Sequence, residues 1–396
     1  MHAVSTILRW LILVVALAPG AFYLLAIFGA WRFFREEEAP PTDFAPPISV
    51  LKPVRGLDRE AYENFASFCR QDYPRYEVLF GVRTPDDPCI AVIQQIIRDF
   101  PSVPVRLVLG AEQLGTNNKV NKLCRLAAEA RYDLLVINDS DIRVEPDYLR
   151  RVAAPFRDPS VGAVTSMYVA QTDGALGSEL EGVGISSDFH AGVLTAWLLE
   201  GVKFALGATM ACPRARLEEI GGFEALANHF SDDFEFGNRI AANGYRVELL
   251  KRPVTIVSPW QSTGGFFKHQ LRWAISTRYS RPWGHFGLLL TLGLPWSLAA
   301  AAVATSASIA WAYLAGYLVL RYLVVWAVGI LGLKDQLLRR KWWLVPLRDA
   351  LACCVWVASY FSRRINWRGT EFYVVKGQLV PVAMPVVAAD ASTSSR

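Results

Sequence analysis

Long apolar runs with few charges stand at both ends of the chain. One covers residues 7–28, and three follow late in the chain, at 286–304, 308–333 and 346–361. About 20 consecutive apolar residues make a helix long enough to cross the hydrocarbon core of a bilayer. The pattern therefore predicts a membrane anchor at the amino terminus and a group of membrane helices near the carboxyl terminus.

Two of these runs have a second interpretation. The letters "ALAPGA" at 16–21 resemble a signal-peptide cleavage site, although the apolar run continues past them. Arg348 and Asp349 lie near the start of the last run, and a fourth full crossing places the arginines after it outside, against the positive-inside rule. A re-entrant or interfacial helix is therefore the alternative there. Arg321, inside the run at 308–333, is expected to snorkel or to pair with another span.

Between these ends, short apolar runs alternate with stretches of helical pattern. The runs are "ISVLK" (48–52), "YEVLFGV" (76–82), "VRLVLG" (105–110), "DLLVIN" (133–138) and "VGAVTSMYV" (161–169). Apolar runs of this length that alternate with helices are typical of buried strands in a mostly parallel sheet. The fold class predicted for the middle of the chain is therefore α/β.

Charged residues stand at the ends of the predicted strands. Lys52 ends the first strand and Asp58 follows it, Lys119 lies in "GTNNKVNK" after the third, and Asp139 and Asp141 follow the fourth. Ligands of such sheets bind at the carboxyl ends of the strands. Two carboxylates in one turn can share a hard cation with a bound diphosphate. The alternative is that Asp139 only caps the segment after it.

A second acidic pair begins a predicted amphipathic helix. The stretch "SDDFEFGNRIAANGYRV" puts Asp232 and Asp233 in the first turn of that helix. Acidic residues are favoured there by the helix dipole, so capping is one interpretation. The other is that one carboxylate is a general base that takes a proton from an attacking hydroxyl. The pattern leaves both interpretations open.

Composition and charge narrow the class of protein. A hydrophobic content of 53% and 13 tryptophans exceed what a soluble core requires. The net charge of +5 is small and local, so nucleic-acid binding is not predicted. The six cysteines form no C-x-x-C pair, which predicts buried thiols in a reducing compartment. Arg32 and Arg35, just after the first apolar run, predict that the middle of the chain is cytoplasmic.

Several motifs together carry a resemblance to a known family. In order and spacing the chain resembles the ceramide glucosyltransferases of glycosyltransferase family 21, through "LKPVRGLD", "QDYPRYEVLFGV", "GTNNKVNKL", "NDSDIRV", "FALGATMACPRARLEEIGGF", "SDDFEFGNRIAANGYRV" and "HQLRW". The hopanoid-modifying glycosyltransferases of bacteria, a close branch, are similar to the same set. The resemblance covers residues 46–375. It implies a GT-A (nucleotide-diphospho-sugar transferase) domain inserted between an amino-terminal transmembrane helix and carboxy-terminal transmembrane or interfacial helices.

The resemblance also implies roles for single residues. Asp233 matches the catalytic base, and Asp139 with Asp141 match a motif that binds Mg²⁺ or Mn²⁺ and the diphosphate. The remaining predictions are nucleotide-sugar binding by Asp58, Lys119, Asp139 and Arg272, and an acceptor or product side at His190, His269 and Trp273. Lys119 is assigned from its strand-end position alone, and His190 has packing as its alternative. His269 departs from the family pattern, which has Gln or Arg there.

The implied reaction is an inverting transfer of a sugar, with glucose favoured, from a UDP-sugar to the hydroxyl of a membrane lipid such as ceramide. The alternatives are N-acetylglucosaminyl transfer to a hopanoid (bacteriohopanetetrol), processive polysaccharide synthesis, and an inactive membrane scaffold. Expected partners are the UDP-sugar, the lipid acceptor and membrane lipids, with no nucleic acid. The protein is expected to be integral to a membrane, in bacteria the inner membrane, with a cytoplasmic catalytic domain.

These predictions divide the chain into six parts. They are an anchor (1–35), a linker (36–47), the catalytic domain (48–262), an interfacial basic and aromatic segment (263–285), membrane helices (286–362) and a carboxy-terminal segment and tail (363–396). In the interfacial segment, Lys268, Arg278 and Arg281 are expected to meet lipid headgroups. Residues 183–210 are expected to form an amphipathic helix at the membrane surface that shapes the acceptor entrance. The polar tail at 386–396 is expected to be disordered.

Overall fold

A computed structural model of the chain describes residues 2–36, 43–362, 364–367, 370–375 and 378–381. Residues 37–42 of the predicted linker and the whole predicted tail lie outside the described residues. The described part contains an α/β unit, apolar helices from both ends of the chain, and a small second sheet.

The central sheet contains eight strands within the described ranges. They are β1 (Ile48–Pro53), β2 (Tyr76–Val82), β3 (Val105–Leu109), β4 (Leu134–Ile137), β5 (Ile142–Arg143), β6 (Val161–Gln171), β7 (Met210–Pro213) and β8 (Arg246–Val257). Their spatial order is β3-β2-β1-β4-β7-β6-β8-β5. The pairs among β3, β2, β1 and β4 are parallel, whereas β7 runs antiparallel to both of its neighbours. The sheet is therefore parallel in one half and mixed in the other.

Two apolar helices at the amino terminus precede the shorter helices of the α/β unit. In chain order the helices up to residue 242 are α1 (His2–Val15), α2 (Ala18–Arg35), α3 (Ala61–Cys69), α4 (Cys89–Asp99), α5 (Asn118–Glu129), α6 (Tyr148–Ala153), α7 (Leu176–Gly184), α8 (His190–Glu200), α9 (Arg214–Glu219) and α10 (Asp232–Ala242). Every residue of β1, β2 and β4 is buried. Burial on both faces is what unbroken apolar strands require.

All five predicted strands are confirmed, and three further strands are new. Strand β7 has four residues, too few for a clear pattern. Strand β8 carries Lys251, Arg252 and Pro253 in its middle, and its register with β6 shifts there, between the partners of Ser166 and Tyr168. A bulge accommodates a proline that a regular ladder excludes. Because of this irregularity, the sequence pattern did not reveal β8 as a strand.

The carboxy-terminal helices follow β8 in the chain. They are α11 (Thr263–Ser280), α12 (Pro282–Leu288), α13 (Gly293–Val303), α14 (Ala307–Val324), α15 (Gln336–Lys341) and α16 (Val345–Ala358). Within the described residues three continuous helical segments are long and apolar enough to cross a membrane, at Val4–Arg35, Ala307–Gly332 and Gln336–Phe361. A fourth crossing is possible if a bent pair counts as one span. The predicted anchor and membrane helices therefore exist as apolar helices.

The bent pair lies in one of the predicted membrane runs. The run at 286–304 is divided between Pro282–Thr291 and Gly293–Val303, which meet at 54°. Pro295 has no amide hydrogen, and its ring clashes with the carbonyl four residues earlier in a continuous helix. That carbonyl belongs to Thr291, the last residue before the break. The run at 346–361, for which a re-entrant or interfacial helix is the alternative, lies within the continuous segment Gln336–Phe361.

The expected amphipathic helix at 183–210 is corrected. This part of the chain is the end of α7, a π-helical turn at Ile185–Phe189, and α8, and most of its residues up to Thr195 are buried. Helix α8 packs so closely on α2 that a Cβ at Gly29 falls 2.9 Å from the carbonyl oxygen of Leu194. Residues 183–195 therefore form a largely buried layer that contacts both helix α2 and strand β6.

The carboxy-terminal segment contains structure that the sequence did not predict. Strands β9 (Arg364–Trp367), β10 (Thr370–Val375) and β11 (Gln378–Pro381) form an antiparallel sheet. Its buried residues Phe372 and Val374 pack with Ile275 of α11. Gln378 also pairs with His229, just before α10. The small sheet therefore rests on α11 and on the chain that leads into α10.

The six cysteines are free thiols. Cys69, Cys89, Cys124 and Cys212 are buried, as predicted. For Cys354 the prediction is wrong, because this residue is exposed on α16, a helix of the apolar carboxy-terminal group. Burial raises the pKa of the Cys69 and Cys212 thiols to about 12. Those two thiols are therefore neutral packing residues rather than nucleophiles.

Candidate active site

Strand β4 delivers two aspartates into the centre of the candidate site. At its carboxyl end the side-chain nitrogen Nδ2 of Asn138 donates to the carbonyl oxygen of Ala208 at 2.6 Å and to the hydroxyl of Tyr148 at 2.8 Å. These bonds fix the point at which the chain leaves the sheet. Asp139 and Asp141 follow, and the amide of Val257 donates to the Asp141 carbonyl at 2.9 Å. The turn is therefore held by the sheet on both sides.

Asp58, in the loop after β1, contacts this turn. The hydroxyl of Ser140 donates a hydrogen bond to its carboxylate. The buried carboxylate of Asp141 has one oxygen, Oδ1, without a hydrogen-bond partner. Burial, and then the charges of Asp139 and Asp58, raise the pKa of Asp141 to about 7. The negative charges of these two carboxylates therefore disfavour the ionised form of Asp141.

Lys52 holds the backbone of the same turn. Its side chain is fully buried over the ring of Phe68, and its Nζ donates to the carbonyl oxygen of Asp139 at 2.9 Å. Burial lowers the pKa of Lys52 to about 7, against the opposing effect of the carboxylates of Asp141, Asp139 and Asp58. A bond from a lysine to a backbone carbonyl orients the turn and leaves the carboxylates of Asp139 and Asp141 available for a ligand.

The carboxylate oxygens of this turn fit a hard divalent cation that takes its other ligands from a substrate. Within the described residues, no three His, Cys, Asp or Glu side chains gather closely enough to hold a metal ion by themselves. Two carboxylates in one turn, one of them with an unpartnered buried oxygen, fit a cation whose other ligands are phosphate oxygens and water. The predicted pair, Asp139 and Asp141, therefore matches a metal that arrives with a diphosphate.

Lys119 links the two acidic clusters. Asn117 caps α5 by accepting from the amides of Lys119 and Val120, which places Lys119 in the first turn of the helix. The Lys119 Nζ lies 2.9 Å from Oδ1 of Asp139 and 3.2 Å from Oδ2 of Asp232. Burial opposes its charge, but these two carboxylates and Asp233 raise the pKa of Lys119 above its usual value. The ammonium is therefore charged.

Asp233 faces the same gap from α10. Its Oδ2 accepts from the amide of Gly207 at 3.0 Å. A Cβ on Gly207 would lie 3.0 Å from Oδ2 of Asp139, 3.4 Å from Oδ2 of Asp233 and 3.6 Å from Nζ of Lys119, so a side chain at this position would crowd all three groups. Burial, then the charge of Asp232, raise the pKa of Asp233 to about 6, while Lys119 opposes the rise. Asp233 thus has the pKa of a base that works near neutrality.

Helix α11 brings three further predicted residues to one face. His269, Arg272 and Trp273 are spaced three and four residues apart, and all three are partly buried. The rings of His269 and Trp273 lie 5.2 Å apart, and the ring of Phe189 lies 6.2 Å from Trp273. His269 Nδ1 is 2.9 Å from Oε1 of Glu181. The contact between Arg272 and a diphosphate stays a prediction.

His190 lies behind this aromatic group. It is completely buried, and its Nε2 lies 2.8 Å from the carbonyl oxygen of Tyr168 in β6. Burial lowers the pKa of His190 to about 4, so the ring is neutral at physiological pH. This environment favours the packing interpretation of His190. A direct contact with the acceptor stays a prediction.

Two residues of the site were not identified from the sequence. Tyr168 is buried with its ring 6.0 Å from that of Phe189, and burial followed by the charges of Asp233, Glu181 and Asp139 raises the pKa of its hydroxyl. Glu181, on α7, is the partner of His269. Tyr168 lies inside a predicted strand, and Glu181 lies in an otherwise ordinary helical stretch. Neither position carries a local sequence signal, because the site forms from segments far apart in the chain.

The basic residues around α11 are less free than expected. Arg278 packs on the rings of Tyr279 and Tyr360 and donates to the carbonyl oxygen of Ser362 at 3.0 Å. Its expected role at lipid headgroups is therefore corrected, because it ties α11 to the end of the last apolar helix. Lys268 and Arg281 are both exposed, and Arg281 also lies over the ring of Phe234. Both keep the environment expected of a headgroup contact.

Comparison with known proteins places the chain in a family. The sequence profile of glycosyl transferase family 21 matches residues 9–380. The chain belongs to glycosyl transferase family 21. This membership confirms the resemblance seen in the motifs, and it confirms that the protein is an enzyme, a hexosyltransferase.

Two curated relatives of this family 21 hexosyltransferase are ceramide glucosyltransferases. Ceramide glucosyltransferase 1 of Caenorhabditis elegans is 23% identical over 374 residues, which cover 88% of this chain and 76% of that protein. The ceramide glucosyltransferase of Gibberella zeae is 31% identical over 150 residues, which cover 34% of this chain and 28% of that protein. The similarity to the first relative therefore extends over most of both chains.

A solved structure shows the fold of this family 21 enzyme. The mannosyltransferase PcManGT from Pyrobaculum calidifontis, in complex with GDP-Man and Mn²⁺, aligns with a TM-score of 0.56 at 20% identity. The alignment covers 89% of this chain and 98% of that one. The predicted GT-A fold is thereby confirmed.

Proposed function

We propose that this family 21 enzyme transfers a sugar from a UDP-sugar to the hydroxyl of a membrane lipid. Glucose is the favoured sugar and ceramide the favoured acceptor, because the curated relatives described above are ceramide glucosyltransferases. The observation that carries the proposal is the closeness of Asp139 and Asp233 at Gly207, where one added Cβ would lie 3.0 Å from Oδ2 of the first and 3.4 Å from Oδ2 of the second. A diphosphate held through Asp139 would therefore lie close to a hydroxyl that Asp233 deprotonates.

The donor side is assigned to the turn after β4 and to Lys119. Asp139 and Asp141 would hold Mg²⁺ or Mn²⁺, consistent with the Mn²⁺ and GDP-Man named for the structural neighbour. When bound, this ion neutralises negative charge on the leaving diphosphate. Asp58 lies against the turn through Ser140 and lines the nucleotide pocket. Lys119, charged and directed at Asp139, adds a fixed positive charge beside the diphosphate.

Asp233 is assigned as the general base. The amides of Gly207 and Phe234 each donate to one of its carboxylate oxygens, at 3.0 and 2.8 Å, so its orientation is fixed. Its pKa of about 6 keeps it deprotonated near neutral pH while it remains basic enough to accept the hydroxyl proton. The new bond forms between the acceptor oxygen and the anomeric carbon as the bond to the diphosphate breaks. One displacement of this kind inverts the anomeric configuration.

The acceptor side is assigned to the aromatic group on α11 and the π-helical turn. Trp273, His269 and Phe189 lie together within ring-contact distance. Helix α11 also packs against α16, which belongs to an apolar segment long enough to cross a membrane. We therefore assign this group to the route by which a lipid hydroxyl reaches Asp233. Arg272, on the same helix face, is assigned to the departing nucleotide.

The placement in the membrane follows the charge pattern. We place residues 48–262 in the cytoplasm as the catalytic domain, because Arg32 and Arg35 end helix α2 on that side. The anchor is 1–35 and the linker 36–47. The interfacial segment at 263–285 leads into the membrane helices at 286–362, followed by the carboxy-terminal segment. In a bacterium the corresponding membrane is the inner membrane.

The test is a transfer assay with the purified full chain in lipid nanodiscs. Each of two donors, UDP-glucose and UDP-N-acetylglucosamine, is combined with each of two acceptors, ceramide and bacteriohopanetetrol, in the presence of Mn²⁺. We expect a hexosylceramide by mass spectrometry. A hexosaminyl hopanoid as the only product would move the acceptor to the alternative lipid while keeping the same site. Polymeric sugar, or no lipid product from any combination, would overturn the proposal.

A further inference from the structure

Arg321 on α14 is buried among the apolar helices and makes a fixed set of hydrogen bonds. Its Nε and Nη2 donate to the two carboxylate oxygens of Asp349 on α16, each at 2.8 Å. The hydroxyl of Tyr317 donates to the same carboxylate at 2.8 Å. Only 3% of the Arg321 side chain and 12% of the Asp349 side chain are exposed. The expected pairing of Arg321 with another apolar helix is therefore found, in the planar two-bond geometry that holds both partners rigidly.

The guanidinium of Arg321 also donates to a segment outside the apolar helices. Its Nη1 donates to the carbonyl oxygen of Ser187 at 2.7 Å. Ser187 lies in the π-helical turn at Ile185–Phe189, between α7 and α8. Turns of this kind are rare, and they recur at functional sites. The guanidinium of Arg321 therefore holds the backbone of the π-helical turn from the side of the apolar helices.

The same turn leads directly into the acceptor side of the site. Phe189, two residues after Ser187, places its ring 6.0 Å from Tyr168 and 6.2 Å from Trp273. His190 then holds the backbone of Tyr168 through a contact of 2.8 Å. A shift of the Ser187 carbonyl therefore moves the residues that pack behind Trp273.

Stability alone does not account for this ion pair. A buried pair is often no more stabilising than well-packed apolar side chains of similar volume, because both charges lose their hydration. Charged residues inside a membrane segment more often serve function. The extra bond to Ser187 supplies that function here, because no apolar side chain can donate to the carbonyl.

We propose that the Arg321–Asp349 pair positions the acceptor site by fixing the π-helical turn behind Phe189 and Trp273. Neither residue touches the reacting atoms, so both are positioning residues. The inference rests on the proposed function, since it assigns the aromatic group to the lipid acceptor. It makes acceptor binding depend on a contact between two apolar helices.

The test replaces the pair without leaving a buried charge. The double variant Arg321→Met with Asp349→Leu keeps apolar packing and removes the donor to Ser187. The matched control is Tyr313→Phe, which removes another hydrogen bond of α14, from the Tyr313 hydroxyl to the carbonyl of Leu13 at 2.8 Å. Both variants and the wild type are purified as full chains in nanodiscs.

Two readouts decide the claim. Hydrogen–deuterium exchange of the amides at 185–190 is expected to rise in the double variant and to stay unchanged in Tyr313→Phe. The KM for the lipid acceptor is expected to rise about 10-fold or more, while the KM for the UDP-sugar changes by less than about twofold. Unchanged exchange at 185–190, a wild-type acceptor KM, or equal rises in both KM values would overturn it.

The two proposals fail in different ways. If the wild type glycosylates no lipid, the proposed function fails, and exchange at 185–190 alone then decides whether the ion pair holds the turn. If the wild type glycosylates lipid and the double variant has the same acceptor KM, the positioning claim fails while the function stands.

Discussion

Lys119 and Asp139 form an ion pair, with Nζ 2.9 Å from Oδ1, that joins helix α5 to the turn after β4. The same ammonium lies 3.2 Å from Asp232 at the start of α10. One positive charge is therefore shared between the predicted metal and diphosphate side and the predicted base side. We expect this shared charge to couple the binding of the donor to the chemistry of the acceptor.

The first prediction concerns the loss of that charge. Lys119→Met is expected to raise the KM for the UDP-sugar by about 10-fold or more, because a charge-assisted contact to the diphosphate is lost. The measurement is steady-state transfer with varied UDP-sugar. The control is Arg125→Met, which removes an exposed cation from the same helix. Equal donor KM values in both variants would show that Lys119 does not face the donor.

The second prediction concerns pH. Asp233 must be deprotonated to act, and its pKa is raised to about 6, so activity is expected to rise with pH through about 6. Asp232→Asn removes a negative charge that raises this pKa, so the rise moves to lower pH. Lys119→Met removes a positive charge that lowers it, so the rise moves to higher pH. The profile of kcat against pH checks both shifts, and shifts in the same direction would contradict the assignment.

The third prediction concerns the base itself. Asp233→Asn is expected to lower kcat by about 10²–10⁴, the usual contribution of base catalysis, while UDP-sugar binding is retained. The matched control is Glu235→Gln on the same helix, where the carboxylate pairs with Arg239. Binding is followed by calorimetry and turnover by product formation. A kcat of Asp233→Asn within a factor of two of the wild type would exclude Asp233 as the base.

The fourth prediction concerns the metal. Asp141→Asn and Asp139→Asn are each expected to abolish Mn²⁺ binding in the presence of UDP, because each removes a hard anionic ligand. A chelator is expected to stop transfer by the wild type, and added Mn²⁺ to restore it. The control is Asp99→Asn, an exposed carboxylate on α4. Tight Mn²⁺ binding that survives both substitutions would place the metal elsewhere.

Local sequence patterns sufficed for the parts of the fold that rest on local periodicity. Strand β2 coincides with its apolar run, and β1 and β6 differ from theirs by one or two residues at the carboxyl end. Strand β8 escaped because Lys251, Arg252 and Pro253 interrupt its pattern at a bulge. The break at Leu292 escaped because apolar content measures length in the membrane and not helix continuity.

The site shows the same division. Asp139, Asp141 and Lys119 stand at strand ends, where topology alone brings them together. Glu181 and Tyr168 enter the site only through packing between distant segments, so no spacing in the chain announces them. Arg321 was noticeable as a charge in an apolar run. Its partners, Asp349 and Ser187, depended on how three helical segments meet.

The most direct measurement of the account compares the wild type with Asp233→Asn in proteoliposomes that contain ceramide, UDP-glucose and Mn²⁺. Lipid products are identified by mass spectrometry, and the anomeric linkage by proton NMR. The wild type is expected to add one hexose in a β linkage, inverted relative to the donor, and Asp233→Asn to form almost none. An α-linked product, a chain of sugars, or equal product from both proteins would contradict the account.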